Sequence, residues 1–322
     1  MGKLVTMVIP VYNTGERLRP CLEACLNQNY HNLQIVIVDD GSKDELTQKI
    51  CREYAAKDKR IKLVRKENGG EGSARNRGIE EADGEYLFWV DSDDIVTKDF
   101  VNTLVDGMEK GYELSICGFK EVKGEETINE TKGEARELTR AQAMEILMQE
   151  DGYKGYVWNK MFRMDIIKKY KIRCALDIPI WPDVLFGFTY MCHIEKIFYN
   201  PKQVYTYFFW EDSISHAKNH VLGVEKSFAA IRAEQQMEEM LTWDYENVKR
   251  QMSIRYVQNA LAVIRNVGYQ KAGTQDEYYK KSLLILKKHK KTAMPYLSKK
   301  EKILTNICCI CPGVLLLLYR LR

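Results

Sequence analysis

The chain has 322 residues, of which 45% are hydrophobic and 29% charged, a balance that is typical of a globular protein. Its net charge of +4 is too small to indicate a nucleic-acid-binding protein, and no run of about 18 apolar residues predicts an ordinary transmembrane helix. Nine cysteines without a repeated CxxC pattern, and a start that is typical of a strand, predict a cytoplasmic protein without a secretory signal.

The first 120 residues alternate short apolar runs with amphipathic helical patterns. They predict strands at 4–13, 33–42, 61–70 and 85–94, and helices at 15–30, 43–58 and 72–83. This alternation predicts an α/β fold with a mostly parallel sheet covered by helices on both faces. Further along we expect helices within 138–176 after a Thr139 cap, late strands within 196–210, and helices from about 220 to 290.

Polar or acidic residues follow three of the predicted strands. They are Tyr12 and Asn13, Asp39 and Asp40, and the DSDD segment at 91–94. Ligands of open α/β sheets bind beyond the carboxyl ends of the strands, so these residues predict one ligand crevice at that edge.

The DSDD segment suits a divalent cation, because carboxylates two residues apart at a strand end can reach a metal ion and a sugar hydroxyl together. In this interpretation Asp93 is the metal ligand, and Asp91 contacts a ribose or the outer shell of the metal. The alternative is an acidic turn in which Asp94 or Thr97 caps the following helix. The motif alone leaves both interpretations open.

Two further segments have a functional and a structural interpretation. After the second strand, Asp39 can accept the imino N–H of a uracil or thymine ring, or the segment can begin a helix that Ser42 caps. In "ENGGEGSARNRG" (67–78), the glycines permit close backbone approach, and Arg75 and Arg77 can face a pyrophosphate. The alternative is a flexible turn with a solvated arginine.

Taken together, "TMVIPVYN", "IVIVDDGSKD", "KENGGEGSARNRGI" and "EYLFWVDSDD" resemble the N-terminal half of inverting glycosyltransferases of family 2, of the bacterial surface-polysaccharide type. The resemblance spans residues 3–120 and extends more weakly into "YVWNKMFRMDII", "PDVLF" and "YTYFFWEDSISH". It implies a GT-A domain at 1–215, with a donor half to about 120 and an acceptor half from 121. A helical extension at 216–302 and an apolar tail at 303–322 would follow.

The resemblance also implies roles for individual residues. Asp183 would be the general base, with Pro182 where the family usually has a glutamate, and Asp93 with Asp91 would hold Mn²⁺ or Mg²⁺. The residues implied on the nucleotide-sugar side are Pro10, Tyr12, Asp39, Asp40, Arg75, Asp91 and Ser92, and those on the acceptor side are Trp158, Asn159, Lys160, Trp181 and Trp210.

The expected activity is therefore inverting transfer of a sugar from a nucleotide-sugar, specifically a UDP-sugar, to a hydroxyl of a glycan or lipid-linked saccharide. No nucleic-acid partner is expected. A nucleotidyltransferase is one alternative, although "PVYNTGERL" after the first strand lacks the glycine cluster of such enzymes. A non-catalytic sugar- or nucleotide-binding protein derived from a transferase is the other, and the retained Asp91, Asp93 and Asp183 argue against it.

The apolar tail at 303–322 follows the lysine-rich segment 287–302 and is interrupted at Pro312-Gly313. Lysines beside apolar residues favour peripheral attachment to anionic lipid, which predicts contact with the inner face of the cell membrane. The alternatives are a helix that packs on the protein's own core and an interface with a partner protein.

Overall fold

A computed structural model describes residues 2–149, 152–210 and 223–320, and within them ten strands form a single sheet. The strands are β1 (Val5–Val11), β2 (Leu33–Asp39), β3 (Ile61–Arg65), β4 (Tyr86–Trp89), β5 (Ile95–Val96), β6 (Leu114–Lys123), β7 (Glu126–Glu130), β8 (Arg136–Leu138), β9 (Lys160–Arg163) and β10 (Ile197–Phe208).

The α-helices of the described residues lie on both faces of this sheet and in a C-terminal helical region. They are α1 (Leu18–Leu26), α2 (Glu45–Lys57), α3 (Glu71–Glu80), α4 (Phe100–Glu109), α5 (Arg140–Leu147), α6 (Met164–Lys169), α7 (Pro182–Met191), α8 (Val224–Met240), α9 (Glu246–Tyr269), α10 (Glu277–Ala293), α11 (Lys299–Ile310) and α12 (Pro312–Arg320).

The predicted α/β class is confirmed, and the sheet is mixed. Strands β3, β2, β1 and β4 lie side by side in parallel, as the alternating apolar runs indicate. The short strand β9 then pairs antiparallel with both β4 and β6, while β10 runs parallel to β6. The parallel order therefore holds for the first four predicted strands and is interrupted at β9.

Two hydrophobic cores lie on opposite faces of the sheet because successive side chains of a strand point to opposite sides. In β1, Met7 and Ile9 belong to the core covered by α1, α2 and α4, whereas Val8 belongs to the core that includes α3 and the C-terminal helices. The second core is continuous from the sheet into α8, α9 and α10, so the helical extension packs directly on the predicted GT-A domain.

The prediction of helices within 138–176 is partly wrong. Helix α5 begins after Thr139, which forms a capping box with Gln142, and α6 is also helical. Between them, "KMFR" is strand β9, because it fills the gap between β4 and β6, and such pairing overrides local helical preference. The strands β6, β7 and β8 were not predicted, and the late apolar segment forms the single strand β10.

Helices α11 and α12 form the described part of the tail. No single helix among the described residues is long and apolar enough to cross a membrane. The pair formed by α11 and α12 meets that test together by length and composition, but the two helices are bent by 117°.

We expect Gly78→Ala to destabilise the protein by about 1–3 kcal/mol, because overpacking a filled core has this cost. A Cβ atom at Gly78 in α3 would lie 2.2 Å from Cγ1 of Val8, which is fully buried in β1. The free energy of unfolding from urea titration measures the change. Gly187→Ala is the matched helical control, because its Cβ would meet its nearest neighbour, Leu147, at 3.6 Å.

Shortening Val8 should relieve the clash, so Gly78→Ala combined with Val8→Ala should lose less stability than the two single changes added together. A Gly78→Ala protein as stable as the Gly187→Ala control would contradict this account of the contact between α3 and β1.

Candidate active site

The carboxyl ends of β1, β2 and β4 meet at one edge of the sheet, as the sequence predicts. The backbone N–H of Asp40 donates to the carbonyl of Val11 at 2.9 Å, and that of Val90 donates to Val8 at 3.0 Å. Tyr12, which follows β1, is exposed at this edge, whereas Pro10 inside β1 is buried. The site is built on this edge.

The carboxylate of Asp40 holds the loop before α3 in place. Its carboxylate accepts the backbone N–H groups of Gly69 and Gly70, the latter at 2.8 Å, and the ammonium of Lys66 at 2.6 Å. Gly70 has φ +83°, a conformation that favours glycine, and α3 begins directly after it. Asp40 therefore fixes where Arg75 lies, since Arg75 is on α3.

Asp39 is buried beside the polar turn that follows β2. It accepts the backbone N–H of Ser42 at 2.8 Å, and the guanidinium of Arg65 lies 3.6 Å away. The hydroxyl of Ser42 accepts the N–H of Asn13 and thereby joins the turns after β1 and β2. The cap of α2 is Asp44, so the alternative in which Ser42 caps this helix is wrong.

Within the DSDD segment, Asp94 has a structural role. Its carboxylate accepts the hydroxyl of Tyr205 at 2.8 Å and the backbone N–H of Phe208 at 2.9 Å, both from β10. Burial raises the pKa of Asp94 well above its usual value, and the nearby carboxylates of Asp91 and Asp93 raise it further. Asp94 therefore fastens the segment to the sheet, and the alternative that it caps α4 is wrong.

Ser92 contacts the turn after β1, and Asp91 is the residue of the segment that lines the cleft described below. The hydroxyl of Ser92 lies 2.7 Å from that of Thr14, and the Tyr205 hydroxyl accepts the backbone N–H of Asp91 at 3.1 Å. Helix α4 begins at Phe100 after Asp99, so Thr97 is not its cap either. Asp91 and Asp93 are the carboxylates of this segment that remain partly exposed.

Arg75 joins three carboxylates at the centre of the site. Its guanidinium pairs with Asp183 at the start of α7, with Glu71 at 2.5 Å and with Asp91 at 3.2 Å. The side chain is only 2% exposed, and its Nε has no hydrogen-bond partner among the described residues. The structure thus brings together Asp91 and Asp183, which are 92 positions apart in sequence, through one buried cation.

The pKa values of two carboxylates around Arg75, Asp183 and Asp91, are higher than those of free aspartates. Burial raises the pKa of Asp183 to about 6, although Arg75 and the backbone N–H of Val157 act in the opposite direction. Burial also raises the pKa of Asp91; Arg75 lowers it, while the negative charges of Glu71 and Asp183 raise it. Desolvation of the charged form therefore outweighs the ion pairs at both positions.

A cleft of about 460 Å³ opens beside this centre. Asp183, Arg75 and Asp91 line it, and so do two of the predicted acceptor-side residues, Trp158 and Trp181. Its other lining side chains include several that the sequence analysis did not single out: Glu71, Lys154, Tyr156, Tyr207, Arg255 and Gln258.

Asn159 and Lys160 lie beneath the cleft and are fully buried. The amide of Asn159 donates to the carbonyl of Tyr153, and the ammonium of Lys160 donates to the carbonyls of Lys154 and Tyr156. Burial lowers the pKa of Lys160 to about 7. Both side chains therefore hold the loop before β9 in place below the cleft wall.

Trp210 does not line the cleft. Its ring stacks on Phe208 and lies under the guanidinium of Arg17, 4.1 Å from the ring centroid, on the side of the donor half. The rest of the resemblance motif beyond it, from Glu211 to His216, lies outside the described residues.

The aromatic part of the cleft comes from the loop before β9 and from β10. The rings of Tyr156, Trp158 and Tyr207 are parallel to within 15°, with centroids 4.6 to 6.1 Å apart. Tyr205 and Tyr207 are two positions apart and therefore lie on one face of the strand, a spacing that the sequence shows. Arg255 and Gln258 come from α9, and no local pattern connects them to the cleft.

Comparison with known proteins agrees with this geometry. The family described as glycosyl transferase family 2 matches residues 6–171, just over half of the chain. The putative glycosyltransferase EpsH of Bacillus subtilis is 31% identical over 208 residues, which cover 63% of this chain and 60% of EpsH. Glycosyltransferase GlyG of Streptococcus pneumoniae is 42% identical over 111 residues, or 34% of this chain and 36% of GlyG. The chain thus matches less than two thirds of the length of these relatives.

Solved structures with the same fold cover nearly the whole chain. Residues 1–349 of S. aureus TarS superpose with a TM-score of 0.65 at 15% identity, covering 94% of this chain and 90% of that one. Mannosyltransferase PcManGT of Pyrobaculum calidifontis gives a TM-score of 0.61 at 14% identity, covering 100% of this chain and 88% of that one. The chain has the GT-A fold and belongs to glycosyl transferase family 2.

Proposed function

We propose that the protein transfers a sugar from a UDP-sugar to a hydroxyl of a glycan or lipid-linked saccharide, with inversion at the anomeric carbon. The observation that carries this proposal is the cleft in which Arg75 joins Asp91, at the predicted donor side, to Asp183, at the predicted acceptor side. Complexes of S. aureus TarS with UDP-GlcNAc and with UDP, and of PcManGT with GDP-Man and Mn²⁺, support a nucleotide-sugar donor.

Asp183 is suited to act as the general base of this reaction. An acceptor hydroxyl needs a base within hydrogen-bond reach when it attacks, and a base works best when its pKa lies near the working pH. The raised pKa of about 6 keeps Asp183 ionised at pH 7 and makes it more basic than an ordinary aspartate. Asp183 is partly exposed to the cleft, so an acceptor can reach it.

The donor diphosphate would lie on the side of Arg75, Asp91 and Ser92, with its base near Tyr12 and Asp39. Arg75 presents a planar guanidinium, a shape that suits phosphate oxygens. Its Nε is buried and its two terminal nitrogens pair with Glu71, Asp91 and Asp183, so a bound diphosphate would replace part of these carboxylate pairs. The backbone around Gly70 allows close approach at the start of α3.

Asp93 and Asp91 would hold a divalent cation, Mn²⁺ or Mg²⁺. The residues present fit such an ion, because the carboxylates of Glu71, Asp93 and Asp183 crowd negative charge around Asp91, and Arg75 offsets part of it. The described residues contain no group of three or more His, Cys, Asp or Glu arranged to hold a metal. Two carboxylates suffice when diphosphate oxygens and water complete the shell. A bound cation would stabilise the charge on the leaving nucleoside diphosphate.

The first experiment is release of nucleoside diphosphate from a panel of UDP-, GDP- and dTDP-sugars, with Mn²⁺, Mg²⁺ or EDTA and a mixture of simple saccharides as acceptors. Release from UDP-sugars that EDTA abolishes would support both donor class and metal dependence. Nucleotide-sugar binding without release under any of these conditions would favour the non-catalytic alternative.

Asp183→Asn should lower the transfer rate by at least 10²-fold, because general-base catalysis contributes about that much or more. The dissociation constant for UDP, measured by calorimetry, should change little. In the wild-type protein, the rate should fall about tenfold per pH unit below pH 6, because protonated Asp183 cannot accept the proton of the acceptor. Near wild-type transfer by Asp183→Asn would exclude this residue as the base.

Asp93→Asn should weaken binding of UDP in the presence of Mn²⁺ by about 10-fold or more, because one metal ligand loses its charge. Binding without the ion should remain close to that of the wild type. Asp99→Asn, which changes an exposed aspartate outside the DSDD segment, is the matched control. Equal Mn²⁺-dependent binding by the Asp93→Asn and Asp99→Asn proteins would exclude a metal role for Asp93.

We also propose that α11 and α12 attach the protein to an anionic lipid surface at the inner face of the cell membrane. Five apolar side chains on these two helices are 44% to 76% exposed: Ile303, Ile310, Val314, Leu317 and Leu318. Exposed lysines lie nearby on α10 and α11, and each cation adds about 1 kcal/mol near an anionic surface. Apolar residues flanked by lysines match a lipid surface better than a hydrophobic protein partner.

Ile310→Ser combined with Leu317→Ser should weaken binding to phosphatidylglycerol vesicles by at least 10-fold, because each change removes apolar area that lipid would bury. Co-sedimentation of the full chain with phosphatidylglycerol or phosphatidylcholine vesicles measures this. Ile128→Ser on β7 removes a similarly exposed isoleucine and is the control. A wild-type protein that does not bind either vesicle would exclude lipid attachment.

A further inference from the structure

The residue that precedes α7 has an unusual backbone conformation. Trp181 has φ +63° and ψ +35°, in the left-handed region, which a bulky residue seldom adopts without support from its surroundings. Pro182 and Asp183 follow as the first two residues of α7. The direction in which Asp183 enters the cleft therefore depends on how Trp181 is held.

Pro182 restricts the backbone conformations that Trp181 can adopt. A proline disfavours the right-handed helical region for the residue before it, because its ring would collide with that residue. Continuation of α7 backwards through Trp181 is thus disfavoured, and contacts of the Trp181 side chain can stabilise its left-handed conformation. The carbonyl of Trp181 accepts the N–H of Leu185 at 3.1 Å, which makes it the first acceptor of the helix.

The side chain of Trp181 is held by a residue of the helical extension. The guanidinium of Arg255 on α9 lies 3.7 Å from the centroid of the Trp181 ring. A planar guanidinium on an indole face is the most favourable of the cation–π pairs, and it is stronger when shielded from water. The side chain of Arg255 is only 10% exposed.

Arg255 is itself held by a hydrogen-bonded ion pair with Glu234 on α8. Its Nε donates to Glu234 at 3.2 Å, and the amide of Asn259 donates to the same carboxylate oxygen at 2.9 Å. Glu234 is fully buried, so its carboxylate can hardly move. A continuous set of contacts therefore runs from α8 through α9 to Trp181 and then along the backbone to Asp183.

Arg255 and Trp181 line the same cleft as Asp183 and Arg75. We propose that Arg255 is a positioning residue for the general base: held by Glu234, it keeps Trp181 in the conformation that directs Asp183 into the cleft. This inference rests on the proposed function, because it concerns the residue that acts as base there. It makes the helical extension a part of the catalytic unit.

The experiment compares donor hydrolysis and donor binding in the double variant Arg255→Met with Glu234→Gln. Changing both residues avoids leaving a buried charge without its partner, which would itself prevent folding. The rate constant kcat for hydrolysis of the donor identified in the panel, with water as acceptor, should fall about 10- to 100-fold, because small misplacements of a reacting group have this effect. The dissociation constant for UDP should stay within about twofold.

The matched control is Arg250→Met with Glu145→Gln. This pair also joins α9 to the rest of the protein, at 3.0 Å, and neither residue lines the cleft. The control should keep the kcat of the wild type, with a thermal midpoint lowered no more than that of the test variant, because its ion pair is more exposed. A third variant, Arg255→Lys, keeps the charge but loses the planar stack, and it should show most of the loss in kcat.

Unchanged kcat in the Arg255→Met/Glu234→Gln protein would overturn the positioning role while leaving the proposed function intact. An equal loss of kcat in the control would also overturn it, since any weakening of α9 would then be sufficient. A wild-type protein that neither binds nor hydrolyses any nucleotide-sugar would overturn the proposed function and this inference together.

Discussion

The site depends on the buried guanidinium of Arg75. Arg75 pairs with Glu71, Asp91 and Asp183, which come from α3, the end of β4 and the start of α7. Without Arg75, Asp91 and Asp183 would be buried carboxylates that have lost their ion-pair partner, and such groups are strongly destabilising. The position of Arg75 depends in turn on Asp40, whose hydrogen bonds to Gly69 and Gly70 fix the start of α3. The ion pairs of Arg75 therefore join the end of β4 to the start of α7 in addition to the pairing of the strands.

The strand ends explain why so much of the site could be predicted from sequence. The parallel strands β1, β2 and β4 have strong local signals, and each is followed by polar residues, so Tyr12, Asp39 and Asp91 were predicted to share an edge. The metal and base roles of Asp93 and Asp183 remain predictions. Asp94 was misassigned as a helix cap in one interpretation because its actual partners, Tyr205 and Phe208, lie more than 110 residues away.

The missed features share a physical cause. The strand β9 has only four residues and takes its conformation from neighbours on both sides, so the surrounding helical pattern concealed it. Arg255 and Gln258 lie on a long helix whose sequence shows only an amphipathic pattern, and their place in the cleft follows from how α9 packs against α5 and α8. Contacts between elements far apart in sequence leave no periodic signal. The sequence alone therefore gives no sign that the helical extension at 216–302 reaches the cleft.

One contact of α9 also relates the cleft to the tail. The amide of Gln258, which lines the cleft, donates at 3.0 Å to Glu301, which lies in the first turn of α11 and belongs to its capping box. Helix α11 has 12 residues, so its far end, at Ile310, lies about 18 Å along the axis from its start. Four of the exposed apolar residues lie at or beyond the far end of α11, so the length of this helix sets how far they are from the cleft, whereas Ile303 lies near its start. If the far end of α11 binds lipid, as proposed above, the cleft lies away from that surface by up to the length of the helix, and a lipid-linked acceptor would have to extend over this distance to meet Asp183.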